Sequence, residues 1–251
     1  MAATPLVYFV LGTPGSGRRG IILDLLLNGR DPGERSTVLV AESEPPSPQD
    51  AGLAAVPRTG VQRWAWGGPD FPDFRLPPCD TVFLVADSLG DTVDQIEALK
   101  RWLAARGLQL ARVLLVVDCQ LASTQPDLRP WFDACVHFSD VVLLTRREGV
   151  PNKWLSEFRR RFEDECYPCH LILLKKGGIE NPALVLEPSP RRVSQYFEPD
   201  ETIEIEGLVT DDEEPEDDDK LPEDPYIARR RGGRRVKEIP SPRDFLPARS
   251  A

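Results

Sequence analysis

Short runs of apolar and β-branched residues recur between residue 6 and residue 175 of this 251-residue chain. Each run is nearly continuous and does not alternate with polar residues, which is the pattern of strands buried on both faces. Such strands form a parallel sheet that helices cover on either side. The runs are LVYFVL (6–11), STVLVA (36–41), DTVFLVA (80–86), RVLLVVD (112–118), DVVLLT (140–145) and HLILLK (170–175).

Helical patterns separate most of these runs. Residues 18–28 and 92–106 carry apolar side chains at spacings of three and four, and Asp91 is a candidate N-cap for the second helix. Residues 127–138 and 153–165 are two further candidate helices. Strand–helix alternation predicts a doubly wound, mostly parallel sheet in a three-layer α/β domain.

The link over residues 42–79 is too long for a plain connection between two strands. It is rich in Pro and Gly and contains the sequence VQRWAW (61–66). Those six residues are either one short strand or part of a loop, and loops of this length are usually functional or mobile.

A glycine-framed loop follows the first predicted strand and precedes the first predicted helix. Its two outer glycines match the frame G-x-x-x-x-G-K-[ST] of phosphate-binding loops, in which backbone N–H groups face an anion at the helix N-terminus. A tight turn that only connects strand to helix is the alternative. The predicted phosphate-binding residues are Gly12, Thr13, Pro14, Gly15, Ser16, Gly17, Arg18 and Arg19.

The last two positions of the loop depart from that frame. Arg18 replaces the Lys that reaches the β- and γ-phosphates, and its planar group is not equivalent to an ammonium. Arg19 replaces the Ser or Thr whose hydroxyl ligates Mg²⁺. The two arginines predict nucleotide binding that is weak or independent of Mg²⁺, with hydrolysis impaired or lost. An active NTPase whose metal ligand comes from Ser16 or Thr13 is the alternative, and it would depend on Asp87.

Several later segments resemble one known family in their order and spacing. They are CDTVFLVADSLGDTVDQIEAL (79–99), RVLLVVDCQ (112–120), SDVVLLTRREGVPN (139–152) and HLILLKKG (170–177). With the phosphate loop, the resemblance to CobW-type P-loop GTPases, a family of metallochaperone GTPases, covers residues 5–186. It implies a P-loop NTPase fold for the domain over residues 1–186, with GTP or GDP as its ligand.

The resemblance assigns roles to residues beyond the loop. It implies that Asp87 is the acidic residue on the Mg²⁺ side and that Gly90 is the switch glycine. It also places Thr145, Arg146 and Glu148 on the Asn, Lys and Asp of the guanine-reading motif. Glu148 keeps the charge of that Asp but is one methylene longer.

Two features of the family are missing from this sequence. The Cys-rich metal motif expected over residues 60–80 is represented only by Cys79, and a charged tail takes the place of the family's C-terminal domain. We therefore predict no metal site and a degenerate CobW-like GTP-binding protein, a pseudo-GTPase.

Residues 187–251 lack the core pattern and carry strongly segregated charge. The acidic stretch 198–224 cannot bury enough apolar surface to offset its ordering entropy, and the stretch 229–237 is basic. We predict a mostly disordered tail. An alternative function is a non-catalytic scaffold whose tail docks a protein partner or, less favoured, nucleic acid. A solvated basic stretch that folds back on the acidic one would have neither role.

The five cysteines follow no disulfide spacing, which indicates reduced thiols and a cytoplasmic protein. The chain shows neither a signal-peptide pattern nor an apolar window of 18 residues, so we expect no membrane association. The sequence from Cys166 to His170 matches the C-x-x-C-H of haem attachment, which requires export. A zinc half-site is the other option, but it supplies only two or three ligands. Ordinary thiols are the favoured interpretation.

Overall fold

The computed structural model describes residues 4–175, 178–198 and 223–246. Within them, seven parallel strands form one sheet in the order β3-β2-β4-β1-β5-β6-β7. This confirms the predicted α/β class and the mostly parallel sheet. The strands are β1 (Leu6–Gly12), β2 (Ser36–Ala41), β3 (Thr59–Trp64), β4 (Thr81–Val85), β5 (Gln109–Asp118), β6 (Val141–Thr145) and β7 (His170–Leu173).

Helices connect the strands and cover both faces of the sheet. Asp91 caps the third helix by accepting a hydrogen bond from the Asp94 backbone N–H at 2.8 Å, as its position predicts. None of the helices in the described ranges is long and apolar enough to cross a membrane. The helices are α1 (Arg18–Asn28), α2 (Pro48–Ala55), α3 (Thr92–Arg106), α4 (Cys119–Thr124), α5 (Arg129–His137), α6 (Asn152–Asp164) and α7 (Pro182–Leu186).

The core lies in two layers, one on each face of the sheet. Helices α3, α5 and α6 pack on one face through side chains such as Leu99, Phe132 and Phe158. Helices α1, α2 and α7 pack on the other through side chains such as Leu25 and Leu53. The predicted three-layer arrangement is therefore correct.

Strand β1 lies near the middle of the sheet, between β4 and β5. All seven strands run in the same direction, so their carboxyl ends meet at one edge, where open α/β sheets bind ligands. The glycine loop, Asp87, Asp118 and Thr145 follow or end strands at this edge.

The long link over residues 42–79 contains more regular structure than its sequence shows. Part of VQRWAW lies in the edge strand β3, and α2, which the apolar pattern does not predict, precedes it. Beyond β3, Phe71 and Phe74 pack edge-on against Trp64 and Trp102. The link is therefore a structured cover over the sheet.

Parts of the predicted disordered tail are ordered against the domain. In residues 223–246, Tyr226 and Ile227 are buried in the core layer beside α5, and Arg235 pairs with carboxylates of α3. Because the tail as a whole is rich in charged residues, its composition does not reveal the few residues that attach it to the domain. The acidic stretch 198–224 lies almost entirely outside the described residues.

Candidate nucleotide site

The loop after β1 turns sharply, and two glycines allow the turn. Gly12 and Gly17 have φ angles of 150° and 97°, which disfavour other residues. A Cβ atom at Gly12 would lie 2.7 Å from the Val116 carbonyl oxygen. Between the glycines, the Ser16 backbone N–H donates to the Thr13 carbonyl at 3.1 Å. The loop is thus a tight turn whose start fits closely against β5.

The loop presents unused hydrogen-bond donors at the start of α1. Thr13 and Ser16 are fully buried, and their hydroxyls have no hydrogen-bond partner within the described part of the chain. No described side chain caps the first turn of α1. A buried polar group left unsatisfied costs about 1–3 kcal/mol. Free backbone N–H groups at a helix N-terminus favour an anion, so the loop has the donors of an anion site.

Arg18 points away from solvent into the gap between β1 and β4. Its Nη1 donates to the Ala86 carbonyl at 2.7 Å and to the Val10 carbonyl at 3.4 Å. Its Nη2 forms an ion pair with Glu44, and both side chains are almost fully buried. The Ser88 hydroxyl also donates to Glu44, at 3.1 Å. The guanidinium at the position of the phosphate-binding Lys is therefore neutralised by the protein's own carboxylate.

Arg19 is held by carboxylates on the α2 side of the loop. Its Nη1 lies 2.6 Å from Asp50 Oδ1, and its Nη2 lies 3.7 Å from Glu44 Oε2. Arg63 contacts the other oxygen of Asp50 at 3.0 Å. Burial raises the pKa of Asp50, but hydrogen bonds from Arg19 and the Ser47 backbone, together with the charge of Arg63, outweigh burial. The pKa of Asp50 therefore lies below its usual value. Arg19 therefore serves to join the loop to α2.

Asp87 and Gly90 shape the turn that follows β4. Asp87 Oδ1 accepts hydrogen bonds from the backbone N–H groups of Leu89 at 2.8 Å and Gly90 at 3.1 Å. The Gln95 amide bonds both the N–H and the carbonyl of Asp87. A Cβ atom at Gly90 would lie 2.7 Å from the Trp66 ring. Both residues thus have structural roles in this turn.

The residues at this edge do not fit Mg²⁺. Arg19 occupies the position where such loops carry a Ser or Thr, so no hydroxyl ligand is present there. One carboxylate oxygen of Asp87 already accepts hydrogen bonds from two backbone N–H groups. Mg²⁺ requires oxygen ligands in near-octahedral geometry. Across the described ranges, no group of three or more His, Cys, Asp or Glu side chains could hold a metal ion.

Thr145 and Arg146 tie the loop to the end of β6. The Thr145 hydroxyl donates to the Ser16 carbonyl at 2.9 Å. Arg146 Nη1 donates to the Gly15 carbonyl at 3.0 Å and lies 3.3 Å from Asp118 Oδ2. The structure thus brings two of the three predicted base-side residues into direct contact with the loop.

An open cleft of about 520 Å³ lies beside the loop. Gly17 lines it on the loop side, and Thr145, Arg146 and Glu148 line it on the β6 side. Glu148 is exposed, and its backbone carbonyl accepts a hydrogen bond from Gln120 at 2.8 Å. One predicted loop residue, Gly17, and the three predicted base-side residues therefore line one cavity, whereas the other predicted loop residues, Asp87 and Gly90 do not line it.

Sequence reasoning missed the carboxylates that neutralise the two loop arginines. Glu44 and Asp50 lie in the link after β2, whose sequence matches no nucleotide-binding motif. The available signal was positional, since Glu44 comes three residues after a buried strand whose carboxyl end lies at the site edge. No sequence motif marks Arg147 either, which donates from Nε to the Leu174 carbonyl at 2.9 Å and lines the far side of the cleft.

The two cysteines of the Cys166–His170 segment lie in different environments. Cys166 is exposed, with a left-handed φ of 55°, whereas Cys169 is buried. Burial raises the pKa of the Cys169 thiol to about 11, and burial lowers the pKa of His170. The segment therefore carries two free thiols, one exposed and one buried.

No protein-family model matches the sequence, and no curated protein matches it. Among solved structures, Zn(II)-bound YjiA GTPase from E. coli is similar at 14% identity and a TM-score of 0.43, over 75% of this chain and 67% of that one. The signal recognition particle receptor FtsY from Elizabethkingia anophelis is similar at 19% identity and a TM-score of 0.40, over 58% of this chain and 51% of that one.

The cell division protein FtsY from Thermotoga maritima is similar at 16% identity and a TM-score of 0.42, over 72% of this chain and 67% of that one. At these identities and TM-scores, the likenesses carry no argument about this chain's family or activity.

Proposed function

We propose that the chain is a CobW-like pseudo-GTPase, which binds guanine nucleotide and does not hydrolyse it by a Mg²⁺-dependent reaction. One observation carries the proposal: the helix N-terminus at Gly17 borders a cleft of about 520 Å³, and two buried hydroxyls next to it have no partner among the described residues. Buried hydrogen-bond donors that have no partner within the protein favour binding of a ligand that carries an acceptor. A phosphate group supplies such acceptors.

The nucleotide would be held from two sides. The phosphates would accept hydrogen bonds from the loop, where the hydroxyls of Thr13 and Ser16 have no partner in the part of the chain that the structure describes. The base would enter the cleft, where the Glu148 carboxylate can accept hydrogen bonds from the N–H groups of guanine. Arg146, already bound to the loop carbonyl of Gly15, would add a planar positive group between the two.

Hydrolysis lacks its usual supports in this site. Arg18 and Arg19 are paired with Glu44 and Asp50, so neither adds free positive charge near a transferring phosphoryl group. Phosphoryl transfer depends on such charge and on Mg²⁺ to offset the charge of the transition state. Binding without turnover is the outcome that this arrangement favours.

Titration of nucleotide-stripped protein with GDP, GTP and ATP, with and without Mg²⁺, tests the proposal. We expect guanine-selective binding that does not require Mg²⁺. Glu148→Ala should remove the preference for guanine over adenine, whereas Glu157→Ala, which removes an exposed carboxylate on α6, should not. No binding at millimolar nucleotide, or turnover that requires Mg²⁺ and Asp87, would contradict the proposal.

A second candidate function is docking of a partner through the C-terminal segment. An antiparallel bridge pairs Arg229 with Arg235, and at the tip between them Arg230, Arg231 and Arg234 are exposed. No aromatic side chain alternates with these arginines, so the tip lacks the stacking surface of single-strand nucleic-acid sites. An acidic protein segment is the partner that fits.

Binding of fluorescent polyglutamate tests this second function. We expect salt-sensitive binding that falls by at least about tenfold when the three tip arginines are changed to Ala together. The same change at Arg159 and Arg160 of α6, which are outside the segment, should have little effect. Unchanged binding, or tighter binding of an oligonucleotide, would reject an acidic protein partner.

A further inference from the structure

We infer that the Glu44 carboxylate takes the place of a terminal phosphate, so that the site accepts a nucleoside diphosphate and disfavours the triphosphate. This inference rests on the proposed nucleotide binding. It adds which nucleotide is bound and which residue selects it.

The position of Glu44 follows from its partner. In loops of this frame, the basic residue after the second glycine reaches the β- and γ-phosphates. Here that residue is Arg18, and its Nη2 group is paired with Glu44. The carboxylate therefore stands against the cation that would otherwise contact the end of the phosphate chain.

Several donors converge on this one carboxylate. Besides Arg18, the Ser88 hydroxyl donates to its Oε1 at 3.1 Å, and Arg19 Nη2 lies 3.7 Å from its Oε2. Glu44 is 4% exposed and Arg18 is 1% exposed. Both arginines of the loop, Arg18 and Arg19, are thus already paired with this acceptor.

Hydrogen bonds also fix the backbone from which the Glu44 side chain extends. The Glu44 N–H donates to the Ala41 carbonyl at 3.0 Å, which closes the turn after β2. Arg63 Nη1 donates to the Glu44 carbonyl at 2.9 Å. Arg18 is fixed in turn by the carbonyls at the ends of β1 and β4. Neither partner of the pair can move away without breaking other hydrogen bonds.

A γ-phosphate brought to this place would meet a like charge. To reach Arg18 it would have to displace Glu44, which would leave a buried carboxylate without its principal partner. If instead Glu44 stayed, two negative groups would lie close together in a poorly solvated gap. A diphosphate ends before that point and leaves the pair intact.

Measurement of the ratio of GTP to GDP dissociation constants tests the inference on the full chain. We expect the unmodified protein to bind GDP at least about tenfold more tightly than GTP. In Glu44→Gln the ratio should fall towards one, mainly because GTP binds more tightly. Glu42→Gln, which removes an exposed carboxylate two residues away, should keep the original ratio.

The outcomes separate this inference from the function on which it rests. Binding of GTP as tightly as GDP by the unmodified protein overturns the inference and leaves the proposed nucleotide binding standing. An unchanged ratio in a folded Glu44→Gln variant, verified by its thermal melt, also overturns it. If neither nucleotide binds, the proposed function fails and the inference fails with it. The ratio in the unmodified protein decides the matter even if Glu44→Gln does not fold.

Discussion

At the scale of single residues, Gly12 is the position at which strand β1 ends and the glycine loop of the candidate site begins. Its φ of 150° and the 2.7 Å from a built Cβ to the Val116 carbonyl oxygen leave no room for a side chain. We expect Gly12→Ala to lower the free energy of unfolding by about 1–3 kcal/mol. Chemical denaturation measures this. Gly33→Ala is the matched control because no atom lies within 4 Å of its built Cβ, and equal losses in both variants would contradict the argument.

The five cysteines should differ in their reactivity. Within the described ranges only Cys166 is exposed, and the other four are buried. Burial raises the pKa of Cys119 to about 12 and that of Cys169 to about 11, which keeps both thiols protonated at neutral pH.

We expect iodoacetamide at pH 7.5 to add one alkyl group to the native protein, at Cys166, as measured by intact mass and peptide mapping. Cys166→Ser should then remain unmodified, and alkylation should increase only on unfolding. Rapid modification of Cys169 in the native state would contradict this assignment.

The sequence shows the loop glycines because they stand in a local motif, and the structure gives Gly12 and Gly17 the backbone angles that the motif needs. It does not show what Arg18 contacts. That contact depends on Glu44, which lies 26 residues away in a link without periodicity. A local pattern fixes backbone conformation, whereas the charge environment of a buried side chain is set by residues from other elements.

At the scale of elements, the apolar pattern gives the two clearest helices correctly, and α1 and α3 have the expected bounds. Helix α2 was missed because Leu53 is its only buried residue, so it has no apolar stripe. Its signal was a capping box instead, in which Ser47 and Asp50 bond each other's backbone N–H groups.

The C-terminal segment is an element whose attachment can be tested. Arg235 is largely buried and pairs with Asp94 and Glu97 of α3. We expect Arg235→Ala to lower the free energy of opening the segment by about 1.4 kcal/mol. Because cleavage follows opening, the rate of limited proteolysis in the segment should rise about tenfold. Arg231→Ala at the exposed tip should cleave at the original rate. Equal rates in all three proteins would show that the pairs do not hold the segment.

At the scale of the whole molecule, acid should weaken the closure of the C-terminal segment. Burial raises the pKa of Asp224, but hydrogen bonds from His137 and Ser194 outweigh it and hold that pKa below its usual value. A carboxyl group with a lowered folded pKa contributes stability that is full above its unfolded pKa of about 3.9 and is lost as the pH falls through its folded value.

We therefore expect the free energy of unfolding to decrease as the pH falls below about 4, and to decrease less steeply in Asp224→Asn. Urea denaturation at a series of pH values measures both slopes. Identical slopes in the two proteins would mean that Asp224 does not contribute to the pH dependence. Arg235→Ala serves as a control that loosens the same segment without removing a group that titrates in this range.

The three-layer domain could be predicted because strand burial and helix periodicity both report on one continuous core. The ordered part of the tail could not, because only a few residues such as Tyr226, Ile227 and Arg235 attach it, within a stretch whose average composition is charged. The cleft could not be predicted either, because its lining combines Gly17 of the loop with residues that end or follow β6 and β7, and only the folded sheet brings these segments together.

The central position of β1 in the sheet determines when this strand can pair during synthesis of the chain. Strand β1 is complete at residue 12, but its sheet neighbours β4 and β5 end at residues 85 and 118. The loop carbonyl of Ser16 finds its Thr145 partner only later still. At ~5–20 residues per second, residue 145 is added about 6–25 s after residue 19. Until β4 ends at residue 85, the apolar strand β1 has neither of its sheet neighbours, which exposes it to contact by a ribosome-associated chaperone.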